Sequence, residues 1–403
     1  MKVAVVGGGI CGLASAHALA ISGVNVVLYE KEDRLGGHAK TVNVDGVDID
    51  LGFFIFNGVT YPNIVELFKN LAFDMKLSEM SFSVSLDKGH GCEWGTRNGF
   101  SSLFAQKKNL LSPYFWQMLR EIVKFKDNVN SYLDEVENNP NIARNESLGE
   151  FIISRGYSEL FLKAYLIPIC SSIYSYSSGR IMDFSAFSVL SYCRNHHLLE
   201  ILERPQFLTG RWGSNNFVKK VKEELQRECC QIQTDMEVHL VSTSEKGMCC
   251  VCKDCSQELY DGCIMAVDAP DALRLLGDEA TYDEQRILGA FQYSNSDIFL
   301  HRDKSLMPQN LATWSAWNFL GSNNKICVTY WLNILQNIEK TSQPFFVTPN
   351  PYHIPEKILF KWSTSHPIPS VVVIQSFIRA RSYSREKKNM VFWGLSRYNS
   401  CLL

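Results

Sequence analysis

The sequence lacks any strong excess of charge and, with one exception, any long apolar run. Its 40 basic and 42 acidic side chains leave a net charge of −2 over 403 residues. That balance argues against a nucleic acid or another strongly anionic partner. The exception is Val3 to Tyr29, which carries no Asp, Glu, Lys or Arg. Glycines interrupt it and only Lys2 precedes it as a basic residue, so it reads as neither a secretion signal nor a membrane span. The expectation is a cytoplasmic protein, peripheral to a membrane at most. No Ser/His/Asp or Cys/His arrangement is legible. His196 and His197 are adjacent and point to opposite sides of any regular element, which argues against a shared metal.

The 13 cysteines are odd in number and scattered, as in a reducing compartment. Their one cluster includes Cys252-x-x-Cys255, which lies in alternating strand-like sequence (MCCVCKDCSQELYDG). A reduced hairpin is favoured there over a zinc site. The length allows two or three domain-sized units.

What is present is concentrated at the start. Lys2 to Val6 is an apolar, β-branched run that leads into Gly7-Gly8-Gly9-Ile10-Cys11-Gly12. An Ala-rich helical stretch, Leu13 to Ala20, follows, then a second apolar run from Val24 to Tyr29 that ends in Glu30. Strand, Gly-rich turn, helix, strand and acid in this order form the dinucleotide-binding βαβ unit. Gly7 allows the tight turn, Gly9 admits a pyrophosphate to the backbone, and Gly12 lets helix and strand pack closely. Cys11 sits inside this turn and packs small at the helix start. The helix N-terminus offers free N–H groups to phosphates, and Glu30 can accept from ribose hydroxyls.

The run continues as Glu30-Lys31-Glu32-Asp33-Arg34-Leu35-Gly36-Gly37-His38-Ala39-Lys40-Thr41, an extension that NAD units do not usually carry. It resembles the E-x(6)-G-G-R/H-x-x-T signature of the flavin amine oxidase, phytoene desaturase and protoporphyrinogen oxidase superfamily, where it wraps FAD. Gly36 and Gly37 permit close backbone approach, while Arg34 or His38 can offset phosphate charge. The segment Asp48 to Phe54 matches the strand and turn that in such proteins run past the flavin ring, which implicates Gly52 and Phe53. The resemblance also implies that Val238, in the strand-like Glu237 to Val241, lays its backbone against the adenine. The implied fold is α/β: an FAD/NAD(P)-binding Rossmann-like domain of the glutathione reductase/amine oxidase type, with a second, discontinuous α+β substrate domain.

Beyond the opening unit, Tyr61 to Leu71, Tyr114 to Leu133, Leu148 to Ile153, Glu159 to Ile169 and Phe187 to Leu202 read as helices. A further helix ends near Cys229, and another runs from Pro270 to Leu276. Strands are expected at Met80 to Leu86, near Cys92 to Gly95, at Gln231 to Thr234, Glu237 to Thr243, Met248 to Cys252 and Tyr260 to Ala266. Gly289 to His301 and Ile326 to Leu332 belong to a second, mostly antiparallel sheet. Trp314, Trp317, Tyr330 and Trp331 lie on that part. They could wall a substrate cavity, but sheet core is the favoured reading.

Longer runs narrow the resemblance. PYFWQMLREI at Pro113 to Ile122, CRNHHLL at Cys193 to Leu199, YDGCIMAVDAPDALRLLG at Tyr260 to Gly277, SAWNFLG at Ser315 to Gly321 and KWSTSHPIPSV at Lys361 to Val371 stand out. So does Arg97 to Phe100. They look like the N-terminal flavin-dependent, amine-oxidase-like domain of plant-type cyclopropane fatty acid synthases, over about residues 1 to 373. The family's methyltransferase half is not in this chain, and the expected W-F-C-G-A-Y-x-G strand leading to the last FAD-binding helix is not legible. From Ile374 the tail is compatible, by the genetic code, with a one-nucleotide-shifted reading of the family's own sequence, which implies a replaced carboxyl end.

The expected layout is therefore 1–58 and 205–289 for the FAD-binding domain, its last segment missing. Residues 59–204 and 290–373 form a substrate or cap domain, and 374–403 an atypical tail. The implied activity is FAD-dependent hydride transfer from an amine or lipid-like substrate, impaired by the missing segment. The flavin carries the chemistry, so no side chain is singled out as catalyst, and Asn57 and Tyr61 are at best substrate-orienting, with a loop role preferred. The alternative is a non-catalytic module that partners a fatty-acid-modifying methyltransferase. The Gly36-Gly37 extension argues against a plain NAD-dependent dehydrogenase.

Overall fold

The computed structural model describes residues 1–52, 55–139, 144–174, 181–200, 205–244, 247–252, 255–322, 325–338, 341–368 and 390–392. A five-stranded parallel sheet holds the opening unit. Its order is Gln231–Gln233, Asn25–Tyr29, Lys2–Val6, Gly262–Met265 and Met390–Phe392. Alternate residues of the central strands serve two cores. Val5, Val26 and Leu28 pack with Leu13 and Ala16 of the helix Ile10–Ile21 and with Phe217 and Val221 of the helix Ser214–Arg227. Ala4, Val6, Val27 and Tyr29 pack on the other face with Leu275 and Leu276 of the helix Ala269–Leu276 and with Val241. A three-stranded antiparallel sheet, Val238–Ser244, Gly247–Cys252 and Gln257–Tyr260, adjoins this face. The Tyr29 and Tyr260 hydroxyls join the two sheets at 2.6 Å.

Met390–Phe392 supplies a closing strand, parallel to Gly262–Met265 and paired Cys263 to Met390. A parallel edge pairing needs only backbone N–H and C=O groups in an extended run, so the short Met-Val-Phe sequence suffices without the expected glycine pattern.

The second sheet has seven strands, in the order Ile358–Pro367, Tyr293–His301, Phe346–Pro349, Lys325–Trp331, Trp317–Ser322, Phe82–Leu86 and Glu93–Gly95. All its neighbours are antiparallel except Trp317–Ser322 and Phe82–Leu86. The segment Leu162–Tyr174 packs on the strands Phe82–Leu86, Trp317–Ser322 and Lys325–Trp331, and the long helix Pro113–Asn138 joins the same core, burying Phe115, Met118, Ile122, Phe125, Val129 and Leu133 at three- and four-residue spacing.

Several sequence boundaries move. Gly289 ends the helix Tyr282–Leu288, and the strand begins only at Tyr293. The helix expected to Leu202 is Ala186–Asn195, stopped where His196 and His197 leave helical geometry, the latter at φ 55°. The helix expected over Glu159 to Ile169 is interrupted: Leu162–Leu166 is a π turn, and an α-helix resumes at Ile167–Tyr174. Pro168 is the cause, since it has no N–H to offer the carbonyl four residues back.

Candidate functional site

The opening turn is set by contacts that leave no room for side chains. Gly7 has φ +105°, and a Cβ there would meet the Ala266 carbonyl oxygen at 2.4 Å. A Cβ on Gly12 would sit 1.8 Å from the Gly7 oxygen, so the helix rests directly on the strand end. Gly9 differs: it is the N-cap of Ile10–Ile21, no side chain caps that helix, and a Cβ on it would meet nothing within 4 Å. The first helical turn therefore opens onto free space with its backbone donors forward. Cys11, half-buried in that turn, accepts the Ser15 hydroxyl through its carbonyl oxygen at 2.8 Å.

The second glycine pair clasps the first. Gly36 N–H donates to the Gly8 oxygen at 2.8 Å, and a Cβ on Gly37 would lie 3.2 Å from the Gly9 Cα. Arg34 folds back to donate from Nη2 to the Gly37 oxygen at 3.2 Å. Glu30 is buried at the end of its strand, where Oε2 accepts the Gly8 N–H at 2.7 Å and Oε1 the Glu32 N–H at 2.9 Å. Its backbone links to the chain around Val238, through Glu30 N–H to the Gln233 oxygen and Met236 N–H to the Glu30 oxygen. Val238 itself is buried. The structure thus brings Gly7, Gly9, Cys11, Gly12, Glu30, Arg34, Gly36 and Gly37 around one turn, with Val238 two residues beyond the segment tied to Glu30.

His38 is half-buried. Its Nε2 lies 2.9 Å from the Thr364 hydroxyl, and its ring meets Trp362 edge-on at 5.7 Å and His366 at 5.5 Å. Lys40 lies over the Phe360 and Trp362 rings, and burial, with Arg34 close by, lowers its pKa. Gly52 sits against this group: a Cβ on it would be 2.3 Å from the His38 oxygen and 3.1 Å from Trp362. Phe53 lies outside the described residues. Sequence reasoning gave no role to the strand Ile358–Pro367, although it supplies Trp362, Thr364 and His366 to His38, the residue after the Gly36-Gly37 pair.

A second group that the sequence did not announce is centred on Asp50. This buried carboxylate accepts the Thr41 hydroxyl at 2.5 Å, the Ser214 N–H at 2.8 Å and the Ser214 hydroxyl at 2.8 Å. Burial raises its pKa against those three donors. Asp50 thereby fixes the N-terminus of Ser214–Arg227 to the strand Val47–Asp50, two residues before Gly52.

Asn57 takes the loop role expected of it: Oδ1 accepts the Val59 and Thr60 N–H groups at 3.0 and 2.7 Å. Its Nδ2, however, is buried with no acceptor among the described residues. The Tyr61 hydroxyl is 3.4 Å from Nε2 of His196, which stacks on Tyr192. His197 turns instead toward Glu200 at 3.6 Å. Trp314 is buried against Trp331 and Phe346, and Trp317 meets Tyr330 edge-on at 5.4 Å beside the helix-covered core. These four behave as sheet core. Cys252 ends the strand Gly247–Cys252, which pairs antiparallel with Gln257–Tyr260, as in the expected hairpin. Among the described residues no group of three or more His, Cys, Asp or Glu is placed to hold a metal ion.

Residues 5–71 match the model of an NAD(P)-binding Rossmann-like domain. The 15-cis-phytoene desaturase of Synechococcus elongatus is 40% identical over 85 residues, 21% of this chain and 18% of that protein. Flavin-containing amine oxidase B of Sus scrofa is 40% identical over 89 residues, 22% of this chain and 17% of its own. The chain thus covers less than a fifth of either relative. Among solved structures, the cyclohexylamine oxidase of Brevibacterium oxydans superposes with a TM-score of 0.72 at 13% identity, over 99% of this chain and 96% of that one. A CLA-producing fatty acid isomerase from P. acnes gives 0.68 at 12% identity, with the same coverage. The fold is therefore the α/β FAD/NAD(P)-binding Rossmann-like fold of the amine oxidases. The amino-terminal part of the chain, residues 5–71, is an NAD(P)-binding Rossmann-like unit.

Proposed function

We propose that the protein is an FAD-dependent oxidoreductase of the flavin amine oxidase type. The observation that carries this reading is the clasp of Gly36-Gly37 on Gly8-Gly9, which leaves the helix N-terminus facing open space at Gly9. Such a cradle suits a pyrophosphate approached from both glycine turns. On this reading Gly7, Gly9, Cys11 and Gly12 line the pyrophosphate turn, and Glu30 keeps lone pairs for ribose hydroxyls. Arg34 and His38 offset phosphate charge, the Val238 backbone meets the adenine, and Gly52 and Phe53 pass the ring. When bound, the flavin supplies the hydride acceptor, which is why no side chain is assigned as catalyst. Asn57, five residues beyond Gly52, holds a buried donor with no acceptor among the described residues and is assigned to orienting the substrate, an amine or a lipid-like molecule. The layout of an FAD-binding unit at 1–58 and 205–289 and a substrate unit at 59–204 and 290–373 belongs to the same reading, as does weak retention of FAD caused by the atypical segment from Ile374.

The test is the visible spectrum of the purified chain. Flavin absorption near one FAD per chain, or its recovery on adding FAD, is expected. A folded, colourless protein that takes up no FAD overturns the reading. A second reading rests on the runs similar to cyclopropane fatty acid synthases: a non-catalytic flavoprotein-like module that acts by contact with a fatty-acid-modifying methyltransferase. Bound flavin that is never reduced by amines or lipids, together with a stable complex with such an enzyme, favours that second reading.

A further inference from the structure

One surface away from the glycine turns combines exposed apolar side chains with charge of a single sign. From Arg97 to Arg120 the chain carries four basic residues, Arg97, Lys107, Lys108 and Arg120, and no Asp or Glu. The segment folds as the short helices Phe100–Leu103 and Lys107–Leu111 and the first turns of Pro113–Asn138. Phe100 is 79% exposed, Leu111 85%, Tyr114 73% and Leu110 52%. Soluble monomers rarely gather such side chains without a partner.

These side chains are held in place. Phe100 stacks on Phe104 at 6.0 Å, Phe104 meets Trp116 at 5.4 Å, and Trp116 Nε1 donates to the Leu110 oxygen at 2.9 Å. Ser112 caps the long helix, and Phe115, one residue before Trp116, is buried against Trp94. Ser102 donates to the Ala312 oxygen at 2.6 Å, and Asn310 Nδ2 to the Ala105 oxygen at 2.9 Å, which brings the exposed Leu311 alongside. Glu93, the nearest acid before the segment, is turned inward, where it accepts the Gln309 and Asn310 N–H groups. Lys107 and Arg120 remain exposed among the apolar groups, whereas Lys108 donates from Nζ to the His90 and Gly91 oxygens at 2.9 and 2.8 Å. Arg97 is spent on Glu79 at 3.2 Å.

We propose that this surface docks the protein on an anionic phospholipid bilayer. The aromatic and leucine side chains enter the headgroup boundary, and Lys107 and Arg120 meet lipid phosphates. Exposed aromatics and leucines interleaved with basic residues suit that boundary. A second copy of the chain fits less well, because a two-fold contact would set one basic segment against another. Among the described residues no helix is long and apolar enough to cross a membrane, so the attachment is superficial. The inference does not depend on bound flavin.

The test is flotation of the full chain with vesicles of phosphatidylcholine alone and with roughly one part in three phosphatidylglycerol. Binding is expected on the anionic vesicles, little on the neutral ones, with release as salt rises. The pair Lys107→Glu and Arg120→Glu should weaken binding at least about tenfold. The pair Phe100→Ser and Leu111→Ser should do likewise, with circular dichroism and melting temperature unchanged, since neither side chain is buried. Absence of binding to anionic vesicles overturns the proposal. So does binding that neither pair weakens, or a concentration-dependent dimer that both pairs dissolve.

Discussion

Trp94 donates its indole N–H to the Ala164 carbonyl oxygen at 3.0 Å. That carbonyl lies four residues before Pro168, which has no N–H to return, and within the π turn Leu162–Leu166. Trp94 is fully buried and comes from the edge strand Glu93–Gly95, so the bond ties sheet to helix where the helix is defective. Trp94→Phe keeps most of the ring but strands a buried acceptor, at a cost of about 1–3 kcal/mol. Urea unfolding checks the value. Pro168→Ala restores a donor, so the Trp94→Phe penalty should shrink in that background. Additive penalties would contradict the assignment.

Two glycines three residues apart should respond in opposite ways. Gly12→Ala places a methyl group against the Gly7 carbonyl and should destabilise the fold by about 1–3 kcal/mol or more. Gly9→Ala meets nothing and has no backbone strain to overcome, so its melting temperature should stay within about 2 °C of the parent. On the proposed reading its methyl group projects toward the pyrophosphate, so FAD affinity should fall at least about tenfold. Melting curves and FAD titration on both variants separate a folding role from a binding role.

The opening unit was legible because its constraints are local: two β-branched runs, glycines at fixed spacing and an acid at the end of the second strand. The Gly36-Gly37 turn was legible for the same reason, and its clasp on Gly8 follows from it. What stayed hidden depends on distant pairing. Nothing near Thr364 or His366 in sequence announces His38, more than 300 residues away, and the pairing emerges only when the strand Ile358–Pro367 takes the edge of the seven-stranded sheet. The strand Met390–Phe392 carries no glycine signature, because the sheet edge requires only extended backbone. Pro168 was visible, but its effect on the helix depended on Trp94 being there to receive the freed carbonyl.

Asp50 should prove a positioning residue for the site rather than a general acid or base. Its carboxylate is surrounded by donors from Thr41 and Ser214. Asp50→Ala removes the acceptor of the Ser214 N–H at the start of Ser214–Arg227 and of the Thr41 and Ser214 hydroxyls, and should cost about 2–4 kcal/mol. Asp50→Asn retains one acceptor oxygen and should cost roughly half of that. If the residue only positions, both variants lose stability and FAD affinity together, and added FAD restores the melting temperature in part. Loss of turnover with unchanged stability would contradict this role.

The seven-stranded sheet contains an acid-sensitive group in His301, which is fully buried. Its Nδ1 accepts the Asp303 N–H at 3.1 Å, so the ring proton sits on Nε2 and is given to the Thr348 hydroxyl at 2.8 Å. Thr348 in turn meets the Thr329 hydroxyl at 2.7 Å. Burial lowers the His301 pKa from 6.5 to about 4, and burial lowers that of His196 to about 4 as well. The unfolded chain therefore takes up these protons first as pH falls. The contribution of each group is intact above pH 6.5, declines between 6.5 and about 4, and levels off below. Each adds a slope of about 1.4 kcal/mol per pH unit within that window. His301→Gln should lower stability at pH 7 and flatten the acid limb by about one proton. Urea unfolding across the pH series measures both, and an unchanged slope would mean that His301 is already protonated in the folded sheet.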